Sequence, residues 1–231
     1  MTTIPRPVRP RTQVIDLAAQ HLARLQRGYL ADRSREVADL ARLRRGAGRE
    51  VGELPDLWGL IDTAHLHQPP AGTRPLTEGE LVRAEDALHA ALTLWALHQQ
   101  SRPTGMHQAD RPDNGRGLGA AVRRMMTLGE IDEPLRKRLV RAGTAPDLTA
   151  LAQRLRDIVL LLRRDGIALD YALLAGQLYT WQHPGGPDTV RREWGRSFHT
   201  RPDRTTPGDT AIAPGDTAPT AVGDTRAPDT E

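Results

Sequence analysis

Cysteine is absent from the 231-residue sequence, which removes disulfides and thiolate metal ligands and fits a reducing, cytoplasmic compartment. Serine is nearly absent too. Ser34, Ser101 and Ser197 are the only three, and none stands in a strand-turn-helix elbow, which leaves serine-nucleophile chemistry without a residue. There are eight aromatic residues, a single phenylalanine among them, so stacked rings offer no platform for bases. Lysine occurs once. The longest aliphatic run, Ile158-Val159-Leu160-Leu161-Leu162, falls far short of the roughly 20 residues that span a bilayer, and no membrane partner is expected. The first residues carry arginines and prolines with no apolar stretch behind them, unlike a secretory leader.

Arginine fills the gap that lysine leaves: it supplies 31 of the 32 basic residues. Its planar fork grips phosphate through two parallel hydrogen bonds, although a GC-rich genome produces the same bias without any phosphate. The formal net charge of +3 conceals a division. Residues 200–231 hold six acids against three arginines, a net of −3, which leaves +6 on residues 1–199.

Three segments follow from composition. Residues 1–11 hold three prolines and three arginines and read as a flexible basic arm. Residues 200–231 are dominated by Asp, Thr, Ala, Pro and Gly, with a degenerate repeat at Pro207-Gly208-Asp209-Thr210, Pro214-Gly215-Asp216-Thr217 and Val222-Gly223-Asp224-Thr225. So little apolar surface cannot offset the entropy of ordering, and disorder is expected there. Residues 12–199 have a helical period almost throughout, which predicts an all-α bundle of eight or nine helices, in one body or two small lobes.

Within that span Val14, Ala18, Leu22, Leu25 and Tyr29 stripe a first helix. Ser34 is the expected N-cap of a second, which stops at Gly46, and a short third is expected over Leu57 to His65, before a break at Pro69-Pro70-Ala71-Gly72. Thr77-Glu78-Gly79-Glu80 has the form of a capping box for a long fourth helix striped by Leu81, Ala84, Leu88, Ala91 and Trp95. Ser101 to Gly117 reads as a polar loop. Leu118, Val122 and Met125 mark a fifth helix, and Pro134 opens a sixth. Leu148, Leu151, Leu155, Ile158 and Leu162 give a strongly amphipathic seventh, Asp170 caps an eighth, and Val190, Trp194 and Phe198 mark a last one.

No set of residues suggests catalysis, a metal or another cofactor. His65 and His67, with Asp62 nearby, sit two apart and so point to different faces of a helix. His89 and His98 on the long helix suit the core or surface better than a general base. Gly115-Arg116-Gly117-Leu118-Gly119 leads into a helix, yet it follows a loop and lacks the Lys-Ser/Thr of a nucleotide cradle. Contact with a nucleic-acid phosphate suits it better.

What recurs is clustered positive charge: Arg42, Arg44, Arg45 and Arg49; Arg123 and Arg124; Arg136, Lys137, Arg138 and Arg141; Arg154, Arg156, Arg163 and Arg164. Cations at a helix C-terminus also complement the dipole, by roughly 0.3 to 1 kcal/mol each, so a single arginine there needs no ligand. The ensemble points to polyphosphate, since neutralising it releases condensed counterions. Arg116 and Arg123 are seven residues apart, as are Arg156 and Arg163, and each pair shares a face if one helix contains both.

The blocks Ala41-Arg42-Leu43-Arg44-Arg45-Gly46, Leu118-Gly119-Ala120-Ala121-Val122-Arg123-Arg124-Met125, Leu155-Arg156-Asp157-Ile158-Val159, Gly166-Ile167-Ala168-Leu169-Asp170-Tyr171-Ala172 and Trp194-Gly195-Arg196-Ser197-Phe198, in this order, resemble the CasB family, the small subunit of the type I-E CRISPR surveillance complex Cascade. The resemblance spans about residues 12–199. It implies an all-helical, non-catalytic subunit, present as two copies, that contacts the backbone and large subunits, the guide RNA and the target DNA, and holds the displaced strand of the R-loop. It maps the family's basic groove onto Arg42, Arg44, Arg45, Arg123 and Arg124. The residues expected to bind nucleic acid are these with Arg49, Arg116, Lys137, Arg141, Arg156 and Arg163. The loop 101–117 and the acidic repeat fall outside the family pattern. A free-standing helical DNA-binding protein or regulator is the alternative, and would show preference for one sequence.

Overall fold

The structure is a computed structural model that describes residues 9–57, 59–68, 74–111, 114–127 and 130–199. Among these residues there are nine α-helices: α1 (Pro10–Leu30), α2 (Ser34–Leu43), α3 (Ala64–His67), α4 (Glu78–Gln99), α5 (Leu118–Arg124), α6 (Glu133–Gly143), α7 (Leu148–Asp165), α8 (Tyr171–Trp181) and α9 (Gly186–His199). Three short 3-10 turns occupy Arg44–Gly46, Val51–Glu53 and Pro55–Leu57. The one sheet-like feature among the described residues is an isolated bridge between His107 and Leu169. The fold is therefore all-α, as the period of the sequence predicts.

Helix starts follow side-chain chemistry. Thr77 accepts from the Glu80 N–H while the Glu80 carboxylate accepts from the Thr77 N–H at 2.8 Å, so the expected capping box closes. Arg74 adds two hydrogen bonds to that carboxylate and holds its pKa down to about 2. Asp132, Asp147 and Asp170 cap α6, α7 and α8, each accepting from a backbone N–H in the first turn. Gly166 ends α7 in the left-handed region at φ 68°, where only glycine is free of strain.

Some expectations are corrected. Ser34 is the first residue of α2, with Arg33 in the cap position and no side-chain cap bond. The third helix does not run from Leu57 to His65: a 3-10 turn ends at Leu57 and α3 is one turn, Ala64–His67. Pro134 stands second in α6, after Glu133. The first helix starts at Pro10, inside the segment read as an arm, and Arg11 donates two hydrogen bonds to Glu193 on α9, at 2.8 and 2.9 Å. The break expected at Pro69 to Gly72, the first eight residues and the repeat from residue 200 lie outside the described residues.

At the centre is α4. Every residue from Ala87 to Ala96 is buried, so its apolar stripe widens to the whole circumference, the pattern of a helix enclosed by others. Helices α1, α2, α7 and α8 pack around it, α9 joins α5 to α8, and α6 lies on α7. Buried side chains from Val14 to Phe198 form one contiguous cluster, which is a single core and not two lobes.

The long loop after α4 is tied down by amides. Gln26 on α1 donates to the His107 carbonyl and accepts from the His107 N–H and the Trp95 indole. Gln99 donates to the carbonyls of Arg102 and Thr104 and accepts from the Met106 N–H. Asp170 accepts from the Asp110 N–H at 2.7 Å while capping α8, so the loop and the helix start share one carboxylate.

Candidate nucleic-acid interface

Three elements meet in one groove: the turn after α2, the C-terminal half of α6 and the middle of α7. Gly46 lets the turn press on α4, because a Cβ there would stand 2.7 Å from the Thr93 methyl and 2.8 Å from Leu57. Gly48, at φ 81°, then carries the chain over α7, where the Arg156 side chain and the Gln153 backbone are its nearest neighbours. With the backbone of this turn turned inward, Arg44, Arg45 and Arg49 are exposed along its outer side. Opposite them, α6 presents Arg138 and Arg141, three apart and so on one face, and α7 presents Arg154 and Arg156. Hydroxyl Oγ1 of Thr149 donates to Glu50 at 2.8 Å and fixes the turn to the start of α7.

Charge in the groove is only partly compensated. Glu53 and Asp157 line it, and Arg45 pairs with Asp56 at 2.7 Å, a bond between groups more than half exposed and of little worth to stability. Arg154 donates to the Arg141 carbonyl at the end of α6. Among the described residues, the guanidinium groups of Arg44, Arg49, Arg138, Arg141 and Arg156 have neither an ion pair nor a hydrogen bond. At about 770 Å³ and walled by guanidinium groups, this is an open, positively charged trough, unlike the mostly apolar cleft that holds a small organic ligand.

Of the residues singled out in the sequence, Arg44, Arg45, Arg49, Arg141 and Arg156 come together here. Arg42 lies on the other side of α2, in a second groove with Arg24, Arg35, His65 and His67, where Glu36, Asp39 and Asp62 balance the charge. Arg163 donates from two nitrogens to the Gln100 carbonyl at 3.2 and 3.0 Å, so it closes the end of α4 and does not share the exposed face of Arg156. Arg116 precedes α5, so it is not on one helix with Arg123, which is at the end of α5 and donates to the Thr127 carbonyl. Arg124 is half-buried and donates to the Asn114 carbonyl at 2.8 Å; burial first, and then the neighbouring Arg116, push its pKa down to about 10. Lys137 stays exposed on α6, outside the groove lining. Arg138 and Arg154 belong to clusters seen in the sequence but were not singled out there; the three-residue spacing of Arg138 and Arg141 was the available signal.

The histidines form no metal cluster: no group of three or more ligating side chains suited to a metal occurs among the described residues. His67 is 3.4 Å from Glu85, and His89 and His98 are buried in α4. No helix among the described residues is long and apolar enough to cross a membrane.

The family model of CRISPR-associated protein Cse2 matches residues 39–199, a span that contains the whole groove. The chain belongs to the Cse2 family. Among solved structures, CasB from Thermobifida fusca is 51% identical, with a TM-score of 0.72 over 82% of this chain and 99% of that one. A chain of a CRISPR RNA-guided surveillance complex is 22% identical, with a TM-score of 0.58 over 80% of this chain and 93% of its own. A Cse2-family protein from Thermus thermophilus is 23% identical, with a TM-score of 0.53 over 78% of this chain and 96% of its own. These last two share the Cse2 fold; the first also shares half of the sequence. The comparison with curated proteins returned no match.

Proposed function

We propose that this Cse2-family chain acts as the non-catalytic small subunit of a type I-E Cascade in the cytoplasm, where the groove between the turn at residues 44–49, α6 and α7 holds nucleic-acid phosphates. Membership of the family supports the place in Cascade, and with it the guide RNA, the target DNA, the backbone and large subunits and a second copy of the chain as partners. The observation that carries the groove assignment is five guanidinium groups, Arg44, Arg49, Arg138, Arg141 and Arg156, that share one trough without a partner among the described residues. Guanidinium groups without a partner among the described residues are donors for phosphate oxygens, and no metal or other cofactor is needed for that bond. Such contacts carry no base information, so they suit a displaced strand of any sequence.

The test is R-loop formation by the reconstituted complex with Arg44→Ala and Arg45→Ala together. Both side chains are exposed, so the helical circular dichroism and the melting temperature of the subunit stay as in the wild type. R-loop lifetime is expected to fall about tenfold at moderate salt, in line with two lost phosphate contacts. An unchanged lifetime removes these two residues from the interface. Binding of the isolated subunit that discriminates strongly against random DNA would instead favour a sequence-specific regulator.

A further inference from the structure

The acidic repeat stands outside the span that the family model matches. The family match stops at residue 199, and the Thermobifida fusca relative is matched over 99% of its own length by 82% of this chain. Residues 200–231 thus lie beyond the family match. From Thr205 onward they contain five acids and one arginine, with Asp209, Asp216 and Asp224 each in a Gly-Asp-Thr unit at intervals of seven and eight residues. The groove presents the opposite charge, with more guanidinium groups than the two carboxylates of Glu53 and Asp157 can balance.

Distance allows the two to meet. Helix α9 lies against α6, where Arg191 donates to the Gly143 carbonyl at 3.0 Å, two residues beyond the groove residue Arg141. His199 lies eight residues, about 12 Å, further along α9. The ten residues from His199 to Asp209 can span up to about 33 Å. The first aspartate of the repeat therefore reaches the groove, and the later two have slack to spare.

We propose that the repeat, residues 207–225, occupies the arginine groove as a tethered competitor of nucleic acid, and that a correctly placed strand displaces it. This inference rests on the groove being the nucleic-acid site. Isolated carboxylates spaced seven residues apart bind guanidinium groups more weakly than a polyphosphate does, but tethering supplies them at an effective concentration in the millimolar range. The result is a groove that rejects weak, sparse contacts with stray RNA or DNA and yields to a strand held in register by the rest of the complex. Arginine in place of lysine suits such exchange, because one fork accepts a carboxylate or a phosphate in the same bidentate geometry.

Full-length chains decide the matter by fluorescence anisotropy with a short labelled single-stranded DNA of mixed sequence. One variant carries Asp209→Asn, Asp216→Asn and Asp224→Asn, and a second carries Thr210→Glu, Thr217→Glu and Thr225→Glu. At about 50 mM salt the neutralised chain is expected to bind about fivefold tighter than the wild type and the acidified chain about fivefold weaker, with both differences closing near 300 mM as screening shortens the reach of each charge. In an Arg49→Ala, Arg156→Ala background the gain from neutralisation is expected to vanish. Equal affinities for the three chains at low salt, or a gain that persists in that background, overturn the competitor while leaving the groove as the binding site. Failure of all three to bind DNA at low salt overturns the groove assignment and the competitor with it.

Discussion

His98 shows how a single buried group sets a pH response. It sits on α4 with no exposed surface, and its Nδ1 lies 2.8 Å from the hydroxyl of Tyr171 on α8, which is equally enclosed. That bond fixes the rotation of α8 against α4, the contribution expected of a buried polar pair in an apolar core. Burial pushes the imidazole pKa down from 6.5 to about 3, so the ring is neutral in the folded chain at pH 7. The unfolded chain takes up a proton below about pH 6.5 that the folded chain refuses. Stability contributed by the neutral ring is therefore complete above 6.5 and is lost as pH falls towards 3. Near pH 5 the loss from this group is about 2 kcal/mol. His21 and His89 are shifted in the same direction, also first by burial, and add to the trend. Glu80 and Glu193 act in a lower window: both are held below their usual range, and their support is lost only as pH falls through the carboxylate region. The expected outcome is a melting temperature several degrees lower at pH 5 than at pH 7, by roughly 3 °C per kcal/mol for a chain of this size. His98→Gln keeps a partner for Tyr171 and should remove a large part of that drop; a drop undiminished in the variant assigns it to the other histidines.

Where two helices approach closely, one missing side chain decides whether they meet. Gly119 in α5 faces the α9 backbone, and a Cβ there would collide with the Trp194 carbonyl and stand 2.7 Å from the Phe198 nitrogen. Neither atom can move without opening α9, so Gly119→Ala should cost about 2 to 3 kcal/mol despite its gain in helix propensity, as an overpacked contact does. Urea denaturation reads the loss directly, and a stabilised variant would mean that α5 and α9 lie further apart. This glycine stood in a Leu-Gly-Ala-Ala block of the sequence, where its spacing marked a helix but not the neighbour. The same division runs through the fold. Caps at Thr77 and Asp170 are local and were legible, because donor and acceptor are three residues apart. The single turn of α3 was missed because four residues carry no period. The full burial of α4 was not legible either. A ring of alanines beside leucines fits an amphipathic stripe equally well until its neighbours are known. The anchors of the loop, Gln26 and Gln99, gave no signal, since Gln26 acts across 81 residues.

For the molecule as a whole, arginine count says little and arginine environment says a great deal. Clustering in the sequence singled out arginines, but a guanidinium that faces a carbonyl and one that faces solvent look the same there. Arg44, Arg45 and Arg49 were legible as a group because a single turn holds them together. Their junction with Arg141 and Arg156, about a hundred residues away, is a product of how α6 and α7 fold back on that turn. Arg124 and Arg163, equally prominent in the sequence, donate to backbone carbonyls and serve as internal ties. This difference predicts different salt dependence. With Arg49→Ala and Arg156→Ala together, two of the proposed phosphate contacts are removed, and the slope of log affinity against log salt should fall by about 1.4 for single-stranded DNA. With Arg163→Ala the slope should stay as in the wild type, while the melting temperature drops because the Gln100 carbonyl at the end of α4 loses its donor. Anisotropy titrations over a range of salt concentrations, paired with thermal melts of the same proteins, separate the two classes. If Arg163→Ala lowers the slope as much as the double variant, the phosphate path runs over the end of α7, and the groove beside the turn at residues 44–49 is not where the strand lies.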